Sequence, residues 1–524
     1  MAAPATLRVV DDCPGGSSRE VLLRHASEEL VFGVVGHVGS GNSAIAEALK
    51  SLLIEQGYSV ELLKAKDCIR DWAELNGRSV PTSESTLVVA EAWQTLGDEM
   101  RSGGDDDASV ARALVLEIRR RRAVQKKEEL GPGPVLPDGT PRAYVLDSLR
   151  HDAEVQLVRH VYGNAFALIG IVCDEEVRRE RLGHKYSDAG QDSSKSFMER
   201  DSKSCVKHGQ RVSAAFELAD YYLDNSEERY TGAKQQPNPR WDISEQLSRL
   251  IKIIQHKTII GPTTAETGMF FAHGARMRSA CLSRQVGAAL VDPTGNIVAT
   301  GTNEVPKAGG GVYPGPDEKN TIDARCAFRG RPECSNNTEQ TEIIAELIAS
   351  VPELKSSASD PVSRARIEDS IRKTRVGSLI EFSRAVHAEM DALLSAARLG
   401  VSPVGSRMFV TTFPCHFCAR HIVAAGVVEV QYIEPYPKSK ALALHDDAII
   451  PRSVVSPEAP GKVLFRPFKG VAPRLYPRAF LKDRELKNDR GAMDIQEPRW
   501  GCAWHLSKNS YVQLEAELAK LDRT

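Results

Sequence analysis

The sequence predicts an α/β protein of two domains, an N-terminal parallel-sheet domain fused to a C-terminal three-layer α/β/α domain. Three observations carry this. The 524 residues are enough for two or more domains, each with its own core. In the first half, short fully apolar runs alternate with helical stretches, the pattern of a doubly wound parallel sheet. In the second half, a helix and a hairpin precede a helix–strand–helix segment that carries H-x-E and then P-C-x-x-C.

Residues 1–28 read as a loose leader, and residues 29–258 as the first domain. Leu30–Val35 is apolar enough for a strand buried on both faces. It runs into Gly36-His37-Val38-Gly39-Ser40-Gly41-Asn42-Ser43 and then the helical AIAEALKSLL. Strand, glycine-rich turn and helix is the context of a phosphate-binding P-loop, in which backbone N–H groups face the anion. Asn42 stands where that motif has lysine, so nucleotide binding is expected more than kinase chemistry. On this reading Gly36, Gly39, Ser40, Gly41, Asn42 and Ser43 form the nucleotide site and Ser43 can reach Mg2+; the other reading is a turn without ligand. Further strands are expected at 58–63, at 143–147 ending in Asp147, and at 166–172, with a helix over much of 84–101. Asp147 suits a Walker-B aspartate or an ordinary turn cap. Arg178, Arg179 and Arg181 suit a phosphate-gripping lid or a solvated face. The Gly36–Ser43 loop, that arginine-rich helix and Ala219–Asn225 together resemble the nucleoside monophosphate kinase and dephospho-coenzyme-A kinase group of P-loop proteins.

A polar segment and the amphipathic ISEQLSRLIKIIQH lead to Gly261-Pro262, near the boundary with a second domain over 259–480. A helix at 264–279 is followed by strands at 285–291 and 296–301, joined through Asp292-Pro293-Thr294-Gly295 as a hairpin. The spacing predicts a helix over 383–399 with His387 and Glu389 in its first turns, a strand at 407–412, and a helix opened by Pro414. His387, Cys415 and Cys418 are then three ligands of a tetrahedral zinc, with the fourth position free for water. Two cysteines three apart on a helix face one side, and the helix N-terminus favours thiolate. Glu389 is no ligand but a proton carrier. A structural C-x-x-C or a buried His-Ala-Glu is the blander account, though neither requires both motifs in this order.

H-x-E followed by P-C-x-x-C is the signature of zinc-dependent nucleobase deaminases. Arg278–Ala288, Ala299–Pro306, His387-Ala388-Glu389 and Pro414–Cys418 together resemble the deoxycytidylate deaminases over most of 264–445. That resemblance implies a cytidine-deaminase fold, a homo-oligomer, and Asn303 in the pocket bonding the nucleoside sugar. After the strand at 428–434, Tyr436 is placed to stack on a base and Lys438, with Ser439, to hold phosphate, unless this is a solvated turn. Residues 308–382 form a long insertion, a candidate lid or partner surface, whose Cys326 and Cys334 either join a second zinc or remain free thiols. Residues 451–480 are expected to cover the core as an extended strap. The extension 481–524 ends in a helix, QLEAELAKL, suited to docking on another subunit. A P-loop half fused to this deaminase resembles the bacterial anti-phage deoxycytidine-nucleotide deaminases. That family resemblance implies conversion of dCTP and dCMP to deoxyuridine nucleotides in antiviral defence, under control of an inhibitory small RNA.

Composition narrows the classes. A net charge of −2 and 6% aromatic residues argue against a nucleic-acid deaminase, which needs a basic groove with stacking platforms. A P-loop switch or kinase with an auxiliary deaminase is the other alternative, and Asn42 weighs against it. Ten dispersed cysteines suit a reducing, cytoplasmic compartment. The opening residues lack the apolar stretch of a signal peptide, and no apolar run approaches a membrane span.

Overall fold

The computed structural model describes residues 26–82, 86–186, 188–204, 206–231, 236–256, 258–313, 323–436, 439–451, 461–482, 484–495 and 508–521. The chain divides into two compact units, one of residues 1–261 and 477–524, the other of residues 262–476. Both are mixed α/β. Among the described residues no helix is long and apolar enough to cross a membrane.

In the first unit, β1 (Glu29–Val35), β2 (Ser59–Lys64), β3 (Arg142–Asp147), β4 (Phe166–Val172) and β5 (Tyr221–Asp224) lie in the order β5-β4-β1-β3-β2. All neighbouring pairs are parallel. Every residue of β1, β3 and β4 is buried, as the uninterrupted apolar runs require of strands covered on both faces. Val34 is in register with both Asp147 and Ile169, so the turn after β1 and the acid at the end of β3 emerge together at the carboxyl edge of the sheet.

The helices of this unit are α1 (Asn42–Glu55), α2 (Ala65–Leu75), α3 (Leu87–Gly103), α4 (Ser109–Lys126), α5 (Asp152–Tyr162), α6 (Glu175–Lys185), α7 (Gln191–Ser202), α8 (Val212–Phe216) and α9 (Ile243–Gln255). The terminal helix, Lys508–Leu521, packs against α4 and α5 in this same unit. Residues 508–521 therefore belong to the first unit and do not form a separate extension. The reason is chemical: Glu515 is fully buried and finds the guanidinium of Arg122 at 2.6 Å.

In the second unit, α10 (Thr264–Arg276) precedes β6 (Gly287–Val291) and β7 (Ile297–Thr302). The insertion supplies α11 (Ser335–Ser350) and α12 (Pro361–Arg372). Then follow α13 (Ala388–Arg398), β8 (Arg407–Thr412), α14 (His416–Ala424), β9 (Glu429–Glu434), β10 (Ile449–Pro451) and β11 (Val463–Pro467). The sheet order is β10-β11-β9-β8-β6-β7. β6 is antiparallel to β7 and β8, and the remaining pairs are parallel. Residues 463–467 thus join the sheet beside β9 instead of strapping the core, because Phe465 buries its side chain among Met408, Val430 and Ile449.

Two glycines establish the three layers. A Cβ on Gly287 would collide with the Ala272 carbonyl in α10, and one on Gly301 with the Ala388 carbonyl in α13. Gly287 pairs with Thr302 and Gly301 with Ala288, so the two glycines point to opposite faces, with one helix over each.

Candidate active site

The floor of the site is built by two helix starts, one just after β8 and the other just after the β-bridge at Val386. Thr412 ends β8, and Cys415 is the N-cap residue of α14, its sulfur accepting from the Cys418 amide at 3.5 Å. Pro414 therefore precedes the cap instead of occupying the first helical position. α13 likewise starts at Ala388, not at 383, with His387 as its N-cap. Val386 bridges in β fashion to Glu304, its amide donating to the Glu304 carbonyl at 3.0 Å, which holds residues up to 386 extended. Asp391 pins the new helix to β7 by accepting from the Thr302 amide at 3.0 Å.

These starts bring His387 Nδ1 to 3.3 Å from Cys415 Sγ and 3.4 Å from Cys418 Sγ. The three ligand atoms lie within 4.8 Å of one another. An ion bound tetrahedrally by one imidazole and two thiolates holds its nitrogen and sulfurs about 3.5 Å apart, so the residues fit zinc. Hydrogen bonds from Cys418 and then His387 pull the Cys415 thiol down to about 4, while the bond to Cys415 and burial push the Cys418 thiol up. Among the described residues this is the one His/Cys/Asp/Glu group close enough to share an ion. Cys326 lies 3.8 Å from Arg384 Nη1 and Cys334 3.5 Å from Ser283 Oγ, and among the described residues no second zinc group is assembled around them.

Glu389 is buried, and burial pushes its carboxyl up. It lines, with His387, Cys415, Asn303, Phe413 and Tyr436, a cavity of about 400 Å³. Asn303 is held by main chain: Oδ1 accepts from the Val286 amide and Nδ2 donates to the Arg284 carbonyl, each at 2.6 Å. One amide hydrogen and one lone pair of Asn303 remain. Burial raises the Tyr436 hydroxyl. Lys438 lies outside the described residues. Ser439 does not face the cavity as a phosphate donor; its hydroxyl donates to the Pro414 carbonyl at 2.7 Å and so braces the cysteine turn.

The cavity also draws on residues outside the two motifs. The insertion does more than interrupt the chain, because Cys334, Ser335, Asn336 and Ile380 wall the cavity. Glu434 at the end of β9 is buried, takes Arg276 Nη1 at 2.6 Å and Thr412 Oγ1 at 2.9 Å, and thereby fixes the strand end beneath the site. An acid at the end of an alternating strand, Glu429–Glu434, is the signal that could have marked it.

In the first unit the glycine-rich loop has the expected turn, with Gly39 and Gly41 at φ of +85° and +88°. Asn42 is folded inward: Nδ2 donates to the Gly36 carbonyl and Oδ1 accepts from Ser40, both at 2.9 Å. Ser43 hydrogen-bonds Asp147. The three arginines have different fates. Arg179 pairs with Glu175 on the surface, Arg181 ties to the Asn225 carbonyl and Glu228, and Arg178 keeps two buried nitrogens without a hydrogen-bond partner among the described residues.

A three-layer α/β/α unit with one imidazole and two cysteine sulfurs grouped beside a buried carboxylate at one cavity defines a metal-dependent deaminase. Residues 262–434 match the family model described as the cytidine and deoxycytidylate deaminase zinc-binding region. The deoxycytidylate deaminase of Enterobacteria phage T2 is 31% identical over 188 residues, covering 34% of this chain and 82% of that protein. That of phage T4 is 29% identical over 181 residues, covering 34% of this chain and 80% of that protein. The dCMP deaminase of cyanophage S-TIM5, solved with dCMP and dUMP, is 22% identical, covers 36% of this chain and 93% of that chain, and has a TM-score of 0.22. The chain belongs to the cytidine and deoxycytidylate deaminase family.

The ligand set makes a stoichiometric prediction. Cys418→Ser is expected to lower bound zinc from about one equivalent per chain to near none, because the thiolate is one of only three protein donors. Atomic absorption after gel filtration reads this directly, and an undiminished equivalent would place the metal elsewhere.

Proposed function

We propose that this chain hydrolyses the 4-amino group of free deoxycytidine nucleotides, dCMP and dCTP, to give dUMP or dUTP and ammonia. The observation that carries the reading is the buried carboxylate of Glu389 beside the His387/Cys415/Cys418 set in a cavity of about 400 Å³. A cavity of that size suits a single small ligand. Zinc held by His387, Cys415 and Cys418 would supply a water of lowered pKa at neutral pH. Glu389 accepts one proton of the attacking water and passes it to N3 of the cytosine ring, then takes the remaining proton from the new C4 hydroxyl and delivers it to the amine, which leaves as ammonia as the C4 carbonyl forms. Asn303, oriented by the 284–286 main chain, presents its spare amide hydrogen and lone pair to the sugar. Tyr436 stacks on the base, and Lys438 takes a phosphate. The resemblance to anti-phage deaminases extends the proposal to physiology: a cytoplasmic homo-oligomer, held inactive by a small RNA, that drains the dCTP pool on infection.

Ammonia release tests the reaction. Zinc-loaded protein is offered dCMP, dCTP, CMP, CTP and single-stranded DNA in parallel, with Glu389→Ala as the blank. Turnover of the deoxycytidine nucleotides, absent in the blank, is the expected result. Turnover of DNA with silence on every free nucleotide would overturn it.

A further inference from the structure

A carboxylate already sits where the glycine-rich loop of the first unit offers an anion site. Asp201, the penultimate residue of α7, is fully buried and accepts from the Val38 amide at 2.8 Å. Its other oxygen takes Arg150 Nη1 at 2.5 Å. The Arg178 main chain packs on Gly39, and its side chain keeps Nε and Nη1 buried and unpartnered among the described residues. His37, from the same loop, is bonded to Ser213 at 3.0 Å; burial, Arg178 and Arg150 hold its ring neutral, down to about 3. Arg150 pairs with this carboxylate and Arg178 acts on it through space, beside a neutral imidazole. Two idle buried donors beside a paired guanidinium suit an anion with more acceptor oxygens than a carboxylate. Nearby, Ser43 and Asp147 are paired at the carboxyl edge of the sheet, the position of a phosphate-linked divalent cation in loops of this kind.

Two features allow the carboxylate to leave. It is carried by α7, which packs with α3 and α6 through a small apolar cluster of its own, Leu87, Leu182, Tyr186, Phe197 and Met198. And Asn42 closes the loop by its own hydrogen bonds, so the turn keeps its shape when Asp201 departs.

We propose that the Gly36–Ser43 loop is a polyphosphate-binding site closed by Asp201, which a nucleoside triphosphate opens by displacing the carboxylate and taking over Val38 N–H, Arg150 and Arg178. Binding then releases α7 from the loop, which makes that helix the ligand-responsive element of the unit. An internal occupant weakens apparent affinity by the fraction of time the site is open, so a site closed about 90% of the time binds about tenfold more weakly than its open form.

The test uses the full-length chain, with inorganic tripolyphosphate and ATP as probes, each with and without Mg2+, in calorimetric titrations. Neither probe contains cytosine, so the outcome is independent of the deaminase reading. Asp201→Asn keeps an oxygen for the Val38 amide and removes the charge; it is expected to tighten both probes about tenfold or more. Adding Arg178→Ala is expected to abolish that gain. A folded Asp201→Asn that binds no more tightly than the parent, or a gain that survives Arg178→Ala, overturns the proposal. Should Asp201→Asn fail to fold, hydrogen exchange on the unaltered chain decides: saturating tripolyphosphate is expected to speed exchange over 191–202, and unchanged exchange there rejects the displacement.

Discussion

Glu389→Gln is expected to lower kcat for deamination by about 10² to 10⁴-fold while leaving zinc content and thermal stability close to the parent, because proton transfer by a positioned side chain is worth that much. The substitution is nearly isosteric, and Glu389 lies beside the ligand set without belonging to it. Glutamine preserves the packing of a buried position but can neither accept nor deliver the proton. Because the loss falls on a transition-state role, KM for dCMP should change little and kcat should carry the effect. Steady-state ammonia release, with zinc measured on the same samples, checks it. A rate within tenfold of the parent at full zinc occupancy would remove Glu389 from the chemistry and make it a packing residue.

Arg122→Met is expected to destabilise the first unit by about 3–5 kcal/mol, the range for removing one partner of a buried ion pair. Arg122 lies fully buried in α4 and holds two carboxylates at once. Its Nε is 2.8 Å from Glu29 Oε1 and its Nη1 is 2.6 Å from Glu515 Oε2. Tyr162 donates to Glu515 at 2.6 Å and Tyr511 to Glu29 at 2.9 Å. Methionine fills much of the volume but leaves both carboxylates without a cation. Burial already raises the Glu515 carboxyl, with Arg122 as the main opposing influence, so losing Arg122 raises it further. The sign of the pH dependence follows. A carboxyl whose pKa is higher folded than unfolded binds more protons in the folded state, so stability falls as pH rises through that interval. The deficit of Arg122→Met should therefore be larger at pH 8 than at pH 5.5. Tryptophan fluorescence reports on this unit, since Trp72, Trp93 and Trp241, the tryptophans among the described residues, lie within it. Urea midpoints at the two pH values give the answer, and a variant as stable as the parent at both would show the network contributes nothing.

The zinc triad is legible in the sequence because its geometry is local. His387 and Glu389 are two apart and Cys415 and Cys418 three apart, so each pair is positioned by a single helix start. The strands are legible for a similar reason: apolar runs such as 166–172 have one stable place, the middle of a covered sheet. Boundaries slip where long-range pairing overrides helix propensity. Residues 383–386 suit a helix, yet Val386 pairs with Glu304, and the helix waits for His387 to cap it.

Local pattern was thus enough for the two α/β units, the metal-ligand set with its carboxylate, and the glycine-rich turn after the first strand. What meets those features from far along the chain became visible only in the folded molecule. Asp201 reaches the Val38 amide across 163 positions, and Glu515 reaches Arg122 across 393. Folding also makes residues 463–467 complete a sheet and turns the insertion into a wall of the cavity. Such contacts leave no periodicity in the sequence. A buried charge satisfied from a distant helix reads, residue by residue, like a charge on a solvated face, and only the folded chain removes the water that distinguishes them.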